Sequence, residues 1–397
     1  MRLLDGVVVL DLTQAYSGPF CTMNLADHGA TVIKIERPPA GDQTRTWVPM
    51  QNGASAYYAL INRNKKSLSL DLRTEKGKEV FRKLVKKADV ICENFRPGTM
   101  EKLGLGYDEL CGLNPRIVYA SISGFGLTGP LSGRPAYDIV AQGMSGMMSI
   151  TGFPDSPPTK IGPSIGDSFT GAYLMQGVLM GLYNREKTGK GHRIEVAMMD
   201  TLFSVLENAV VTYTVEGTIP GRVGNIDPAT APFDTFEASD GTFVLGAATD
   251  KMWQILCGLM GRPELATDPR FLTTESRCKN YLPDMKRLIE AWTTTKTIDQ
   301  MEEMLVAAGI PFGRVLNVAE ATEHPQTKAR NMIQEVDAPG LGKIRICGIP
   351  VKVRGVSDKI EKGAPGLGEH NKEILGDFLG LTTQELDELQ EDKTIFS

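Results

Sequence analysis

One acidic residue, Asp167, lies between two small residues at the start of a predicted helix, in the segment IGDSFTG at residues 165–171. A carboxylate at such a position is typical of a helix cap, because it accepts hydrogen bonds from free backbone N–H groups and complements the helix dipole. A carboxylate can also act as a nucleophile that forms an anhydride with an acyl group. Small neighbours would let a substrate approach, and glycine-rich loops can supply N–H donors for the developing oxyanion. This segment alone leaves both interpretations open.

The elements that must position Asp167 alternate between strand and helix over the first 125 residues. Short β-branched or apolar runs predict strands, and apolar residues at helical spacing predict helices, as in the face formed by residues 80, 81, 84, 85 and 88. This alternation predicts an α/β fold, with a mostly parallel sheet covered by helices on both faces. The predicted strands are 6–12, 31–36, 66–72, 89–95 and 116–126, and the predicted helices are 18–30 and 74–88.

Polar segments rich in glycine and proline follow four of the predicted strands. Ligands bind beyond the carboxyl ends of the strands in an open parallel sheet, so these segments predict one shared ligand cleft. They include Arg37, Asn94 and Arg96, and none contains the G-x-G-x-x-G motif of dinucleotide-binding proteins. The segments are 13–18, 36–42, 93–98 and 123–130.

The pattern of apolar and turn-forming residues changes in the second half of the chain. Residues 199–217 are long and apolar enough to predict a mostly buried helix, and residues 218–241, rich in Gly, Pro and Asp, predict a linker. Residues 243–261 and the helical segment 281–308 then predict a smaller unit.

Composition excludes several classes of function. The net charge of −5 offers no basic field, so we expect no nucleic-acid or membrane partner. The six cysteines contain no C-x-x-C pair and the four histidines lie far apart, so we expect no metal site and no disulfide framework. The N-terminus has no signal-peptide core, and no stretch approaches the ~18 apolar residues of a membrane span. We therefore expect a soluble cytoplasmic protein.

Long segments of the chain resemble the class III CoA-transferases, the formyl-CoA transferase family, in order and over nearly the whole length. The segments that carry the resemblance include LLDGVVVLDLTQAYSGPF (3–20), ADVICENFRPGTMEKLGLGYDEL (88–110), PAYDIVAQGMSGMM (135–148), IGDSFTGAYLMQGVLMGLY (165–183) and GLGEHNKEIL (366–375). Other segments are most similar to family members that use small dicarboxylates such as oxalate, succinate or glutarate. They include GDQTRTW (41–47) and APFDTFEASDG (231–241).

The resemblance implies a doubly wound, Rossmann-like large domain built from both chain ends, with a smaller α+β domain inserted. We expect the large domain at 1–215, the small domain at 216–310, and the return to the large domain at 311–397. It also implies an interlocked homodimer. The implied activity is transfer of CoA from an acyl-CoA to a carboxylic acid, through an aspartyl anhydride and an aspartyl-CoA thioester on Asp167. CoA and acyl-CoA are then cosubstrates, and no permanent cofactor or metal is implied.

The resemblance also assigns further site residues. Tyr137 and Asp138 match a Tyr-Glu pair beside the nucleophile, and Tyr16 stands where formyl-CoA transferase has an active-site glutamine, with Gln14 as the alternative for that role. The tetraglycine loop of formyl-CoA transferase has no counterpart in residues 223–232. The residues that match a CoA groove are Arg37, Leu70, Asn94, Phe95, Lys102 and Tyr137.

Two other functions are compatible with the family resemblance. An α-methylacyl-CoA racemase would need a His–Glu dyad, but Tyr137 and Thr249 stand at those positions, and a phenol with a pKa near ~10 is a poor base at neutral pH. A non-catalytic acyl-CoA-binding protein is disfavoured because the Asp167 motif is intact.

Overall fold

In the computed structural model, which describes residues 2–396, six parallel strands form the main sheet. The sheet has the order β3-β2-β1-β4-β5-β6, and every neighbouring pair is parallel, as predicted. The chain therefore builds outward from β1 in one direction and then in the other, which opens a crevice at the carboxyl ends of β1 and β4. The strands are β1 (Val8–Asp11), β2 (Thr31–Glu36), β3 (Lys66–Ser69), β4 (Val90–Glu93), β5 (Val118–Ser123) and β6 (Arg193–Ala197).

The five predicted strands are all present, and β6 is an additional strand that the sequence pattern does not reveal. Its residues alternate between exposed and partly buried, because β6 forms the edge of the sheet. The helices of this half of the chain are α1 (Ser17–Asp27), α2 (Ala56–Ile61), α3 (Glu75–Val85), α4 (Thr99–Lys102), α5 (Tyr107–Leu113), α6 (Asp138–Met144), α7 (Met147–Ile150), α8 (Ile165–Thr188) and α9 (Met198–Ser204).

One face of the sheet packs against α3 and α5. Every second residue of the inner strands, such as Leu10 and Ile33, joins Phe81 and Leu84 of α3 in one core. The predicted apolar face of α3 is confirmed, and Thr74 caps the helix by accepting a hydrogen bond from the backbone N–H of Gly77. The chain returns to this core near its end, where Leu375, Leu389 and Ile395 are buried.

The other face of the sheet is covered by α1 and the 24-residue helix α8. Glycines allow close contact: a Cβ atom at Gly171 would lie 2.5 Å from the carbonyl oxygen of Ser17, and one at Gly181 would lie 3.0 Å from Val118. Because Ser17 begins α1 and Asp167 lies in the first turn of α8, this packing brings the two residues together at the carboxyl edge of the sheet.

The described chain divides into two compact units. The first contains the residues up to Met147, Lys160–Asn208 and the residues from Pro325 onward, and the second contains Met148–Thr159 and Ala209–His324. The second unit has an antiparallel sheet of order β9-β8-β7, around a core that includes Phe236, Phe243 and Trp253. Its strands are β7 (Phe233–Ala238), β8 (Gly241–Gly246) and β9 (Phe312–Arg314). The helix α10 (Asn208–Val211) begins at the last residue of the preceding segment of the first unit, and the remaining helices of the second unit are α11 (Asp250–Leu259), α12 (Thr274–Lys279), α13 (Lys286–Thr293), α14 (Ile298–Ala307) and α15 (Val318–Glu323).

The remaining elements belong to the first unit. A two-stranded antiparallel ribbon follows the short helix α16 (Pro325–Ala329), and helix α17 (Thr383–Glu391) lies near the end of the chain. The ribbon consists of β10 (Ile333–Ala338) and β11 (Gly342–Cys347). Among the described residues, we find no helix with the length and apolar character needed to cross a membrane.

Two predictions for the middle of the chain are wrong. Residues 199–217 are not one buried helix: α9 ends at Ser204, Glu207 adopts a left-handed conformation (φ 50°), and α10 and the following turn bury no residue. The predicted linker 218–241 contains strand β7. Its buried alternate residues include Asp234, whose carboxylate pairs with Lys286 and so allows a charged residue inside the sheet.

Candidate active site

A cleft of about 540 Å³ lies at the carboxyl ends of β1, β4 and β5. Three of the four predicted loop segments line it, through residues such as Gln14, Asn94 and Gly124, so these three segments share one cleft, and the binding of a ligand there stays a prediction. The fourth segment, 36–42, does not line the cleft, and the residues just after it, Gln43 and Trp47, take its place. Asp167, Tyr16, Tyr137 and Asp138 also line the cleft.

Asp167 is the third residue of α8 and not its N-cap. The N-cap position belongs to Ser164, and Asp167 instead hydrogen-bonds to the side chain of Ser17 on α1. The capping interpretation is therefore wrong, although the position at a helix start is confirmed. Asp167 is a partly buried carboxylate that faces a cleft, which is what a nucleophile requires.

The pKa of Asp167 is raised from 3.8 to about 7. Burial makes the largest contribution, the negative charge of Asp138 adds to it, and the hydrogen bond to Ser17 offsets part of the effect. Both causes disfavour a negative charge at Asp167. The site therefore favours any neutral form of this side chain, whether the protonated acid or an acyl derivative.

Asp138 is buried beside the first turn of α8. Its Oδ1 accepts a hydrogen bond from the backbone N–H of Gly166 (2.8 Å), and its Oδ2 accepts one from Nε2 of Gln142 (2.7 Å). A Cβ atom at residue 166 would lie only 2.9 Å from Asp138 Oδ1 and 3.0 Å from Leu202. Gly166 thus makes room for Asp138, and the expectation that it makes room for the substrate is wrong.

Tyr16 lies at the N-terminal end of α1 and belongs to an aromatic wall of the cleft. Its ring centroid is 5.6 Å from that of Phe20 and 5.9 Å from that of Tyr57, which in turn lies 5.2 Å from Trp47. Ser168, next to Asp167, donates a hydrogen bond to the Tyr16 hydroxyl (3.4 Å). Burial, the neighbouring Tyr16 and the charge of Asp167 raise the pKa of the Tyr57 phenol well above its usual value, so Tyr57 stays a neutral hydrogen-bond donor at neutral pH.

Trp47 and Tyr57 are site residues that the sequence reasoning missed. They lie in the long connection between β2 and β3, where the apolar residues show neither helical nor strand spacing. Two aromatic residues in a polar, proline-containing stretch are a weak signal of a binding wall. Tyr57 reaches the cleft on the short helix α2, whose N-cap is Ser55, and the Ser55 hydroxyl donates a hydrogen bond to the carbonyl oxygen of Trp47 (2.7 Å).

Asn94 joins two of the loops that line the cleft. Its Oδ1 accepts a hydrogen bond from the backbone N–H of Gln14, and its Nδ2 donates one to the Gln14 carbonyl oxygen, both at 2.8 Å. The following residue, Ala15, adopts a left-handed conformation with φ 63°. A non-glycine residue in this conformation is strained by about 1–3 kcal/mol, so the surrounding contacts must hold the loop in place.

A buried network of charged residues lies at the carboxyl ends of β1 and β2 and holds this loop. Lys34 pairs with Asp42 (2.8 Å) and donates to the carbonyl oxygen of Thr13 (2.9 Å), and Asp11 pairs with Lys65 (2.9 Å). All four charged side chains are fully buried. Burial opposes ionisation of Asp11, but Lys65, Lys34 and hydroxyl donors overcome it and lower the pKa of Asp11 to about 2.

The predicted CoA residues divide into three groups. Asn94, Phe95 and Tyr137 line the cleft, while Arg37 and Lys102 are exposed outside its lining. Leu70 is only 1% exposed and packs in the core, because it shares the inner face of the β3 segment with Leu68. The Leu70 side chain thus packs inside the sheet, and the prediction that Leu70 contributes to a CoA groove stays a prediction for its backbone.

Three cations line the same cleft. Arg96 follows Phe95, and Arg134 and Lys160 lie on loops on either side of α6. Lys160 donates hydrogen bonds to the backbone carbonyls of Ile161 and Gly162, while the Arg134 guanidinium lies 6.0 Å from the ring centroid of Phe125. Anionic ligands are favoured in a cleft with these three cations. Within residues 2–396, no cluster of three or more His, Cys, Asp or Glu side chains is placed to hold a metal ion.

A sequence model of CoA-transferase family III matches residues 4–371. The chain belongs to this family. The protein is therefore a CoA-transferase, with a CoA thioester as cosubstrate, and the resemblance described above is confirmed.

Characterised relatives share this family over nearly their whole length. The chain is 44% identical to an acetyl-CoA:oxalate CoA-transferase of Acetobacter aceti, over 94% of this chain and 95% of that one. It is 40% identical to a succinyl-CoA–D-citramalate CoA-transferase of Chloroflexus aurantiacus, over 99% and 98%. It is 35% identical to the human succinyl-CoA:glutarate CoA-transferase, over 98% and 89%.

A solved structure is also similar to this CoA-transferase. The crystal structure of a CaiB/BaiF family protein from Brucella suis is 38% identical, with a TM-score of 0.82, over 95% of this chain and 99% of that one. The mixed α/β fold with a parallel central sheet is thus shared with a protein of known structure.

Proposed function

We propose that this CoA-transferase moves CoA from an acyl-CoA to a small dicarboxylic acid through covalent intermediates on Asp167. The observation that carries the proposal is the position of Asp167: a carboxylate that faces the cleft, with a pKa raised to about 7 by burial and by Asp138. A carboxylate destabilised in this way is a stronger nucleophile than a solvated one, and it becomes neutral when it is acylated.

The first half of the reaction loads CoA onto the enzyme. The Asp167 carboxylate attacks the thioester carbonyl, the C–S bond breaks, and the thiolate of CoA leaves an aspartyl anhydride behind. The thiolate then attacks the aspartyl carbonyl carbon of that anhydride. The donor acid leaves as a carboxylate, and Asp167 becomes a CoA thioester.

The second half runs the same steps with the acceptor. A carboxylate of the acceptor attacks the aspartyl thioester, which expels the CoA thiolate and gives a new anhydride. The thiolate attacks the acceptor's acyl carbon, and Asp167 is released as a carboxylate. No net proton transfer, reductant or metal ion is required, and each covalent form of Asp167 lacks the charge that Asp138 repels.

The other residues of the cleft have distinct roles in this proposal. Backbone and hydroxyl donors near Asp167, with the neutral phenol of Tyr57 among them, face the oxyanions that form at the attacked carbonyls. Tyr16 contacts Ser168 at the Asp167 end of the cleft, while Asn94 holds the backbone of Gln14, whose side chain stays the alternative for the role of the family's glutamine. Phe95 and Asn94 line the part of the cleft that we assign to CoA.

A dicarboxylate acceptor is supported by the cations of the cleft. One carboxylate must reach Asp167, and a second negative charge then needs a partner elsewhere in the cleft. Arg134 is exposed and has no ion-pair partner among residues 2–396, so it is free to bind that charge. The relatives that are named for oxalate, citramalate and glutarate support the same acceptor class.

We also propose an interlocked homodimer, with a large domain built from both chain ends and a smaller inserted domain. Apolar side chains on one face of α8 are exposed in the single chain and support burial against a second copy. Phe169, Tyr173, Met180 and Tyr183 are 37%, 40%, 57% and 67% exposed. Free, unpaired cysteines throughout the described chain support a reducing, cytoplasmic location.

The covalent intermediate can be trapped. Incubation with acetyl-CoA or succinyl-CoA and hydroxylamine should convert Asp167 to a hydroxamate, which peptide mass spectrometry locates. An unmodified Asp167 during continued CoA transfer would contradict the proposal. Solvent deuterium at the α-carbon of the acyl group, without modification of Asp167, would favour a racemase instead.

A further inference from the structure

Gln142 is completely buried on α6, one turn after Asp138, and both ends of its amide are engaged. Its Nε2 donates a hydrogen bond to Asp138 Oδ2 (2.7 Å), and its Oε1 accepts one from the backbone N–H of Ile161 (2.9 Å). A buried glutamine with both groups satisfied in this way has one fixed orientation.

The carboxylate of Asp138 is thereby held from two sides. Gln142 binds one oxygen and the backbone N–H of Gly166 binds the other, so both donors point at a carboxyl group that acts only as an acceptor. Removal of either donor would leave a buried carboxylate oxygen unpaired and would free the side chain to rotate. The position of the Asp138 carboxylate beside α8 therefore depends on the Gln142 amide.

We propose that Gln142 is a positioning residue that fixes the Asp138 carboxylate beside the first turn of α8, and that it thereby tunes Asp167 as a nucleophile. The proposal rests on the covalent mechanism at Asp167. Gln142 touches neither substrate nor nucleophile in this arrangement, since it acts through Asp138.

Among the described residues, Asp138 is the one neighbouring charge that raises the pKa of Asp167, which makes this control effective. The other titratable groups near the pair are Tyr57 and two groups that raise the pKa of the Tyr57 phenol together with Asp167 and Asp138, namely Tyr16 and Asp42. The cations of the cleft wall, Arg96, Arg134 and Lys160, are not among the groups that shift the pKa of Asp167.

The same amide ties the nucleophile to a wall of the cleft. Ile161 follows Lys160, which lines the cleft, and the bond to Gln142 fixes this loop to α6. A continuous set of hydrogen bonds thus runs from the loop through Gln142 and Asp138 to Gly166, the residue before Asp167.

The test measures single-turnover acylation of Asp167 by succinyl-CoA at a series of pH values, with peptide mass spectrometry as the readout. Gln142→Leu removes the N–H donor at similar volume, so Asp138 should no longer be held in place beside Asp167 and should repel it less. We expect the midpoint of the pH–rate curve to fall by about half a pH unit or more. Gln142→Asn, which is too short to reach Asp138, should shift the midpoint in the same direction and serves if the leucine variant does not fold.

Two controls separate this role from a purely structural one. Gln384 is an exposed glutamine on α17, and Gln384→Leu should leave the midpoint unchanged. In an Asp138→Asn background, addition of Gln142→Leu should no longer move the midpoint, because the residue through which it acts is already neutral.

The outcomes are distinguishable. A lower plateau rate with an unchanged midpoint in both Gln142 variants would overturn the proposal, since it would show that Gln142 only supports packing. A midpoint that still moves in the Asp138→Asn background would also overturn it. Failure of the wild-type enzyme to acylate Asp167 would instead overturn the covalent mechanism.

Discussion

The buried carboxylate of Asp138 is bound to the backbone N–H of Gly166, so a carboxylate is fixed immediately beside Asp167, the proposed nucleophile. Burial and then this neighbouring carboxylate raise the pKa of Asp167, and both favour neutral acylated forms of its side chain. An enzyme that stores the energy of a thioester on its own side chain benefits from both effects. The covalent intermediates then lie closer in free energy to the free enzyme and substrate.

Replacement of the nucleophile should separate activity from stability. We expect Asp167→Asn to abolish CoA transfer and hydroxamate formation while CoA binding and the fold are retained. Because the folded-state pKa of Asp167 lies above the ordinary 3.8, stability that is present below about pH 4 is lost as the pH rises from about 4 to about 7, and no more is lost above that range. The variant should therefore be more stable than the wild type at pH 8, by on the order of 2 kcal/mol once the full value of the shift is halved for the partial exposure of Asp167, and the difference should disappear below about pH 4.

Urea denaturation at pH 8 and pH 4 measures this difference. Asp155→Asn, at an exposed position, is the matched control and should give no pH-dependent gain. A variant of Asp167 that fails to fold would show that the side chain is needed for structure.

The pH dependence of acylation should report the Asp138–Asp167 pair. The single-turnover rate should rise with pH and reach half its plateau near pH 7, since only the ionised form of Asp167 attacks. Asp138→Asn removes the repulsion, so its midpoint should lie lower than that of the wild type. A wild-type midpoint below pH 5 would mean that the environment of Asp167 is more polar than the structure shows.

The contact between α1 and α8 should be intolerant of one extra methyl group. A Cβ atom at residue 171 would lie 2.5 Å from the Ser17 carbonyl oxygen, which belongs to the backbone and cannot rotate away. Gly171→Ala should therefore destabilise the protein by about 1–3 kcal/mol and slow acylation, because Ser17 also binds Asp167.

The control for this prediction is another helical glycine. Gly112 on α5 has an ordinary helical backbone, and no atom lies within 4 Å of the position that an added Cβ would occupy. Gly112→Ala should therefore be neutral or stabilise the protein by up to about 1 kcal/mol. Equal effects at both positions, measured by urea denaturation, would show that the close approach of α8 to Ser17 is not important.

Much of the first unit can be predicted from the sequence, because apolar residues are spaced differently along buried parallel strands and along amphipathic helices. The run 6–12 and the apolar face of α3 are strong local signals, and both are confirmed. The prediction of one buried helix at 199–217 is wrong because apolar character alone does not show that a segment is buried. Val211 and Val215 are 55% and 81% exposed in the single chain.

The site was predictable only in part. The position of Asp167 near a helix start follows from local pattern, and its role in the family follows from resemblance. The resemblance also suggests Asp138 as a neighbour, but the contact with Ser17 does not follow from any local pattern, because it depends on the packing of α8 against α1. Likewise, no local pattern pairs Lys34 with Asp42 or brings Trp47 to the cleft.

Loss of one partner in the buried ion network should be costly. Lys34→Met leaves the carboxylate of Asp42 buried without its cation, and it removes the donor to the Thr13 carbonyl. We expect a loss of about 3–5 kcal/mol in the free energy of unfolding. Lys343→Met breaks an exposed pair with Glu335 and should cost less than about 1 kcal/mol. Similar losses in the two variants, measured by urea denaturation, would contradict a supporting role for the network.

Arg134 should discriminate between acceptors with one and two carboxylates. Because the second carboxylate of a dicarboxylate has no other assigned partner, Arg134→Gln should raise KM for succinate or oxalate about 10- to 100-fold, the value of a lost charged hydrogen bond. KM for acetate as acceptor and for the acyl-CoA donor should stay nearly constant. Arg354→Gln, at an exposed position, is the matched control and should change none of these values. An increase in KM for the acyl-CoA donor alone would assign Arg134 to the phosphates of CoA and would contradict its role with the acceptor.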